Sequence, residues 1–179
     1  IQCGYHGFQY DCTGKCVIIP GQNAVPRRAS VDCYPLIEKY GWLWLWLGKK
    51  EAADVGLLPK MPGLEEEGWV PFRDHLHVRA NYQLLVDNLI DLSHETYVHT
   101  SSIGNESVAE TPIEARRDGN EVFVDRIMYD IPPPPFFAKA GKSDANVDRY
   151  QLVHFQPPCY VHVEARTVPP GNKNPNSGV

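Results

Sequence analysis

The sequence predicts an α+β protein in which a small β part precedes a larger part that combines a helix with several strands. Three observations support this prediction: an alternation of aromatic and polar residues with a turn near the start, one helical segment near the middle, and a series of alternating apolar segments after it. With 179 residues, 42% of them hydrophobic, the chain is long enough for one good core or two small ones.

Composition and charge argue against nucleic-acid binding and membrane spanning. The formal charge of -5 disfavours nucleic acid as the main partner. No segment approaches the ~18 consecutive apolar residues that a membrane span needs. Five cysteines, an odd number without a secreted disulfide framework, favour reduced thiols and a cytoplasmic protein. Because the chain opens directly on Ile1 and ends in the turn-rich residues 169–179, we expect it to be part of a longer protein.

The first predicted element is a β-hairpin at residues 5–17. Aromatic and polar residues alternate there, turn at residues 11–14, and continue as apolar residues. Cys3 and His6 lie at its start, and a thiolate with an imidazole at this spacing is half of a four-ligand metal site. The flanking glycines let the backbone approach a cluster and leave N–H groups free for sulfur. Taken alone, the pair could equally be half of a zinc site or an accident.

A second strand is predicted at residues 42–47, where tryptophan and leucine alternate. Large side chains on both faces indicate a strand covered on both sides, which closes the small β part. Charge, proline and glycine then dominate residues 49–68, so we place the domain boundary there, with one domain at residues 1–50 and the next at 51–179. Residues 72–82 alternate apolar and polar side chains and predict a strand with one polar face.

A helix from Asn81 onward leads into the second candidate metal site. His94 and His99 are five residues apart, so on a regular helix they would point about 140° apart. We therefore expect the helix to end or bulge between them. Asp91 shares a face with His94 and is expected to orient it. Two histidines with open coordination positions suit non-haem Fe(II), whose usual set is two histidines and one carboxylate. The alternative is a helix whose histidines cap or pack beside an aspartate by chance.

Four strands are predicted after the helix is broken at residues 100–105. They are residues 112–116, 121–129, 149–156 and 159–168. A turn at residues 118–120 separates the first two, and Pro157-Pro158 joins the last two. The proline run at residues 132–135 predicts an extended loop between the pairs.

Residues 3–8, Cys-Gly-Tyr-His-Gly-Phe, resemble the second ligand box of a Rieske [2Fe-2S] domain, and the hairpin residues after them agree. In that family two cysteines hold one iron and two histidines hold the other. The resemblance implies that Cys3 and His6 bind the cluster, with the first Cys-x-His box upstream of this chain. Cys12 and Cys16 fall outside the ligand pattern, and we interpret them as hairpin thiols.

The Asp-x2-His-x4-His motif that follows resembles the oxygenase component of Rieske non-haem iron oxygenases, and residues 81–89 and 94–105 resemble the vanillate O-demethylase branch. The resemblance implies a truncated small β Rieske domain followed by part of a helix-grip-like catalytic domain, a curved antiparallel sheet with helices. His94 and His99 would bind a mononuclear iron. Asp91 and Asn88 would be catalytic residues, Asp91 as the bridge for electron transfer between the sites of neighbouring subunits and Asn88 near the iron. The third iron ligand, a carboxylate, is not expected in this chain.

The implied enzyme is the oxygenase component of a monooxygenase that O-demethylates a methoxylated aromatic acid such as vanillate. It would yield a catechol and formaldehyde from O2 and NADH-derived electrons, delivered by a flavin and iron-sulfur reductase to a homotrimer. This chain alone is expected to be inactive. Alternatives are a ring-hydroxylating dioxygenase, a demethylase of another methoxyarene, and, outside enzymes, a Rieske-type electron carrier or zinc-binding module. Candidate substrate contacts, each favoured as an ordinary sheet residue, are Arg126, His154, His162 and Arg166.

Overall fold

Antiparallel sheets with a few short helices form the fold of a computed structural model that describes residues 1–172. This architecture confirms the predicted α+β class. The chain divides into two compact units, Ile1–Pro71 and Phe72–Val179, and the predicted domain boundary at residue 50 stays a prediction. The last part of the turn-rich segment lies outside the described residues. Within residues 1–172, no helix has the length and apolar character needed to span a bilayer.

The first unit begins with the predicted hairpin, in which β1 (Gln9–Tyr10) pairs antiparallel with β2 (Cys16–Ile18). The Asp11 carboxylate closes the turn by accepting hydrogen bonds from the backbone N–H and hydroxyl of Thr13 at 2.8 and 2.7 Å. Gly14 has φ +83° and its Cα lies so close to Val31 that a Cβ would stand 2.3 Å from the Val31 carbonyl oxygen. Glycine is therefore required there by both conformation and space.

The second hairpin pairs β3 (Leu36–Lys39) with β4 (Trp42–Leu45). The strand is where the sequence predicts it, but the prediction that both its faces are covered is wrong. Trp42 is 52% exposed and Leu43 is 70% exposed. The reason is that this sheet has only two strands, and no other element of the described residues covers both of its faces.

The predicted strand at residues 72–82 is also wrong. Residues 71–78 have no regular secondary structure, and Phe72 and Leu76 are exposed. An alternating pattern becomes a strand only where a partner strand supplies hydrogen bonds, and the described residues pair none with this segment. Two short 3-10 turns, Lys50–Ala52 and Val55–Leu57, lie in the charged segment before it.

The second unit contains a four-stranded antiparallel sheet in the order β5-β6-β7-β8, which confirms the predicted set of strands. The bounds are β5 Glu114–Asp118, β6 Glu121–Ile131, β7 Val147–Gln156 and β8 Tyr160–Val168. The proline run departs from its prediction at its end, because Pro135 begins a helix, Pro135–Gly141, between β6 and β7. Proline suits the first helical position, where its missing N–H has no partner to lose.

One face of this sheet packs against the helical segment before it. Leu92 forms a buried cluster with Val124 on β6 and Val153 on β7, and Ile90 packs against the cluster's edge. Because strand residues alternate between faces, Phe123 and His154 lie on the opposite face, where their rings stack at 4.5 Å. We call the face that carries Val124 and Val153 the helix-side face.

Candidate functional site

Three short helical pieces present the candidate iron ligands. They are α1 (Tyr82–Ile90), a 3-10 turn (Leu92–His94) and α2 (Glu95–Val98). The Asn81 side chain caps α1 by accepting from the Gln83 backbone N–H at 2.9 Å. Asp91 ends α1 with extended backbone angles, φ -88° and ψ 95°, and its side chain begins the next turn by accepting from the N–H and hydroxyl of Ser93 at 2.8 and 2.6 Å.

This segmentation brings His94 and His99 together. α2 ends at Val98, and His99 has non-helical angles of φ -116° and ψ 33°, so the predicted end of the helix between the histidines is confirmed. The two ring centroids are 5.3 Å apart, with the ring planes at 64°. Imidazoles that bind one ion at about 2.1 Å per nitrogen have centroids roughly 5 Å apart. The pair therefore fits a shared metal ion.

Asp91 lies beside His94, as the sequence predicts. One carboxylate oxygen is held by Ser93, and the other is 4.0 Å from His94 Nδ1, which is buried and has no hydrogen-bond partner. The Ser93 hydroxyl and N–H hold the pKa of Asp91 below its usual value, so the carboxylate is ionised at neutral pH. A metal-binding histidine usually contacts a carboxylate or a carbonyl through the ring nitrogen that does not bind the metal. Because His94 Nδ1 faces the Asp91 carboxylate, Nε2 is the nitrogen left for a metal.

Among the residues that the structure describes, no group of three or more histidine, cysteine, aspartate or glutamate side chains is arranged to hold a metal. Glu95 follows His94 directly, but its carboxylate is buried against Gln151 and is not available as a third ligand. Asn88 lies exposed on the last turn of α1. Its role, and the carboxylate expected to complete the iron site, stay predictions.

The other candidate half site is the tight loop at Cys3 and His6. The Cys3 N–H donates to the Phe8 carbonyl at 2.8 Å, and the Gly7 N–H donates to the Cys3 carbonyl at 2.9 Å. The backbone N–H groups of Tyr5 and His6 lower the pKa of the Cys3 thiol. Thiolate is the form that binds iron, so these N–H groups favour the form of Cys3 that a cluster would need. Both candidate ligands are exposed in this chain.

Comparison with known proteins connects these two sites. Residues 78–179 match the family described as the vanillate O-demethylase oxygenase C-terminal domain, and residues 1–35 match the Rieske [2Fe-2S] domain. The chain belongs to the vanillate O-demethylase oxygenase family. The family assignment and the Rieske match confirm both resemblances predicted from the sequence.

Individual relatives of this family agree. The vanillate O-demethylase oxygenase subunit of Pseudomonas sp. (strain HR199 / DSM 7063) is 38% identical over 90% of this chain and 47% of its own length. The oxygenase component of dicamba O-demethylase from Stenotrophomonas maltophilia is 38% identical over 57% of this chain and 30% of its own. A crystal structure of dicamba monooxygenase bound to 3,6-dichlorosalicylic acid superposes with a TM-score of 0.86 at 28% identity, covering 98% of this chain and 52% of that one. The chain spans about half the length of the curated relatives that it matches most fully.

The four candidate substrate contacts lie on different faces of the sheet. Arg126 is on the helix-side face, buried, with Nη1 3.7 Å from the Glu95 carboxylate. His154 is on the opposite face, where it contacts the Glu121 carboxylate at 2.7 Å. His162 pairs with His154 across the strands, and Arg166 stacks on Tyr150, so both share that opposite face. Burial lowers the pKa of His162. Only Arg126 lies on the same side of the sheet as the candidate iron ligands.

Sequence reasoning missed three members of a buried polar cluster at the helix-side face, namely Glu95, Arg149 and Gln151, which Arg126 joins through its contact with Glu95. These three side chains are 6%, 0% and 2% exposed. Burial lowers the pKa of Arg149 to about 10 while the Glu95 carboxylate opposes that effect, so the guanidinium stays protonated at neutral pH. The sequence contains one signal of this cluster. Arg149, Gln151 and Val153 are spaced two apart in a strand, so all three lie on the same face. Two polar residues thus occupy positions where a buried face normally carries apolar ones.

Proposed function

We propose that the full-length protein is the oxygenase component of a Rieske-type monooxygenase that O-demethylates a methoxylated aromatic acid such as vanillate to a catechol and formaldehyde. The observation that supports this most is the pairing of His94 and His99 at 5.3 Å beside Asp91, in a chain whose start matches a Rieske domain. Relatives named for O-demethylation of vanillate and of dicamba support the reaction type.

Cys3 and His6 are the residues that would hold half of a [2Fe-2S] cluster, and His94 and His99 those that would hold a mononuclear iron. When bound, the cluster supplies electrons and the iron supplies the site of O2 activation. The chain's own contribution is orientation. Ser93 fixes one oxygen of Asp91, and the free oxygen faces His94 Nδ1, where an N–H would donate to it. A hydrogen bond formed across that 4.0 Å gap would select the tautomer in which Nε2 is free for the metal.

The proposed enzyme requires an electron-donating partner protein and assembly into an oligomer. Electrons from NADH would arrive through a flavin and iron-sulfur reductase, and the protein would form a homotrimer in which Asp91 links the cluster of one subunit to the iron of the next. An exposed half site at Cys3 and His6 is compatible with such a link. We also propose a cytoplasmic location, which the five free thiols support.

The test uses the full-length protein with its reductase, NADH, O2 and vanillate. We expect formaldehyde to be released together with the catechol. His94→Ala and His99→Ala should abolish formaldehyde release while the absorption and EPR spectra of the cluster persist, and His77→Ala, an exposed histidine outside the site, should keep activity. No formaldehyde from protein with both centres loaded would exclude vanillate as the substrate. Persistent turnover in His94→Ala would exclude the iron site.

A further inference from the structure

The buried polar cluster includes Glu95, the residue that follows His94 in the chain. Gln151 Nε2 contacts both oxygens of the Glu95 carboxylate, at 2.6 and 2.5 Å. Arg149 Nη2 lies 4.0 Å from the same carboxylate. Burying ionised groups carries a large desolvation cost, and apolar residues of similar size often serve a core better. A buried charged cluster is therefore weak evidence of a role in stability and calls for another explanation.

Arg149 connects this cluster to a second segment of backbone. Its Nη1 donates to the Ile103 carbonyl at 2.7 Å, and its guanidinium lies 4.9 Å from the centre of the Phe137 ring. Glu95 follows His94 in the chain, whereas Ile103 belongs to the turn that follows His99. One side chain on strand β7 thus contacts the segments attached to both histidines.

The turn after His99 is held against that histidine by backbone hydrogen bonds. The His99 carbonyl accepts from the N–H groups of Ser102, Ile103 and Gly104 at 3.0, 3.1 and 3.0 Å. Gly104 is so close to the start of α2 that a Cβ there would lie 2.4 Å from the Glu95 carbonyl oxygen. The turn and α2 therefore form one packed body, which Arg149 and Gln151 attach to the sheet.

We propose that Arg149 and Gln151, acting through Glu95 and the Ile103 carbonyl, are positioning residues that set the relative placement of His94 and His99. Both side chains project from the same face of β7, and a strand in the interior of a sheet is a rigid reference for a site that tolerates errors of only about 0.5 Å. The inference rests on the proposed function, because it assumes that the two histidines share a metal ion.

The test measures metal binding apart from turnover. Full-length protein without the mononuclear metal is titrated with Co(II), whose ligand-field absorption reports both affinity and coordination geometry. We expect Arg149→Met and Gln151→Leu to weaken Co(II) binding about 10- to 100-fold, as is typical when a partner of a metal ligand is lost, and to alter the ligand-field bands. Arg116→Met is the matched control, because Arg116 stacks on Phe123 on the opposite face of the sheet. It should leave Co(II) binding unchanged.

Co(II) binding by the variants distinguishes a positioning role from a purely structural one. If Arg149→Met and Gln151→Leu keep the Co(II) affinity and the ligand-field bands of the wild type, the inference is overturned. This holds even if their melting temperatures fall, because the two side chains would then have a structural role only. If Arg149→Met does not fold, Glu95→Gln, which keeps the side-chain size and removes the charge, must show the same loss, and unchanged binding there overturns the inference as well. Wild-type protein that shows no Co(II) site sensitive to His94→Ala would instead refute the proposed function.

Discussion

At the scale of single residues, the two carboxylate oxygens of Asp91 have different contacts, and we propose a separate task for each. One oxygen caps the 3-10 turn through Ser93, and the other faces His94 Nδ1 at 4.0 Å. A cap needs only an acceptor, which asparagine also provides, whereas orientation of a metal-bound imidazole and a link to a second subunit need the negative charge. Substitutions at this position can therefore distinguish the two tasks.

We expect Asp91→Asn to keep the stability of the wild type within about 0.5 kcal/mol and to lower turnover more than about 10-fold. Asp91→Ala should lose the turnover and also about 1 kcal/mol of stability, because the cap is lost too. Urea denaturation and the rate of formaldehyde release measure the two effects. Equal turnover in Asp91→Asn and wild type would show that the charge has no role.

Gly104 is packed tightly against the start of α2. A methyl group at this position meets the Glu95 carbonyl oxygen at 2.4 Å and the Thr96 Cα at 2.7 Å, and neither backbone atom can move alone. Gly104→Ala should destabilise the protein by about 1–3 kcal/mol and weaken Co(II) binding, because α2 carries His99 at its end. Gly119→Ala is the comparison: it has open space but φ +57°, so it should cost stability without affecting Co(II) binding. Intact Co(II) binding in Gly104→Ala would contradict this.

At the scale of elements, the hairpin of β1 and β2 depends on the Asp11 carboxylate. Hydrogen bonds from Thr13 lower the pKa of Asp11. Because the folded-state pKa is depressed, the stabilising effect is fully present above the ordinary pKa of an aspartate and is lost as the pH falls through the lower folded value. The stability advantage of wild type over Asp11→Asn should therefore be constant near neutral pH and vanish in acid. Urea midpoints of cluster-free protein at a series of pH values measure it, and Asp32→Asn corrects for loss of one charge.

Strands β7 and β8 offer a matched pair of valines on the helix-side face. Val153 is 1% exposed in the cluster with Leu92, whereas its cross-strand partner Val163 is 46% exposed. We expect Val153→Ala to cost about 1–3 kcal/mol, since it leaves a cavity next to Leu92, in the segment that carries the candidate iron ligands. Val163→Ala should cost about 0.5 kcal/mol. Thermal or urea denaturation distinguishes them, and equal costs would show that the helical segment does not pack there in solution.

The elements also show which features a sequence can predict. The strands of the four-stranded sheet and the turn at Gly119 depend on local alternation and turn residues, so their pattern was sufficient. The closeness of His94 and His99 was predictable because five residues and a helix end determine it. The contact between Glu95 and Gln151 spans 56 positions, and no local pattern encodes a pairing at that distance. The exposed faces of β4 were mispredicted for the same reason, because burial depends on what packs against a strand.

At the scale of the whole molecule, the two candidate metal sites belong to different compact units, Cys3 and His6 to the first and the paired histidines to the second. The Rieske match lies in the first unit and the match to the oxygenase C-terminal domain lies in the second. Under the proposed function, the first unit supplies electrons and the second uses oxygen. The proposed homotrimer assigns each transfer to a pair of neighbouring subunits. In a closed ring every subunit is then a donor to one neighbour and an acceptor from the other.

Mixed trimers test this assignment. Cys3→Ser removes a cluster ligand and leaves the iron site, whereas His94→Ala does the reverse, so each variant alone should release no formaldehyde. The two variants are then refolded or co-expressed together in equal amounts. Transfer between subunits should restore activity wherever a His94→Ala donor lies beside a Cys3→Ser acceptor. In randomly assembled rings of three, this is the case at about a quarter of the interfaces. Transfer within one subunit predicts no recovery, because no subunit keeps both sites. Activity of about half of wild type per intact iron site, or about a quarter per subunit, supports transfer between neighbouring subunits, provided that it is absent when separately purified trimers are only combined. Zero activity in verified mixed trimers refutes that transfer.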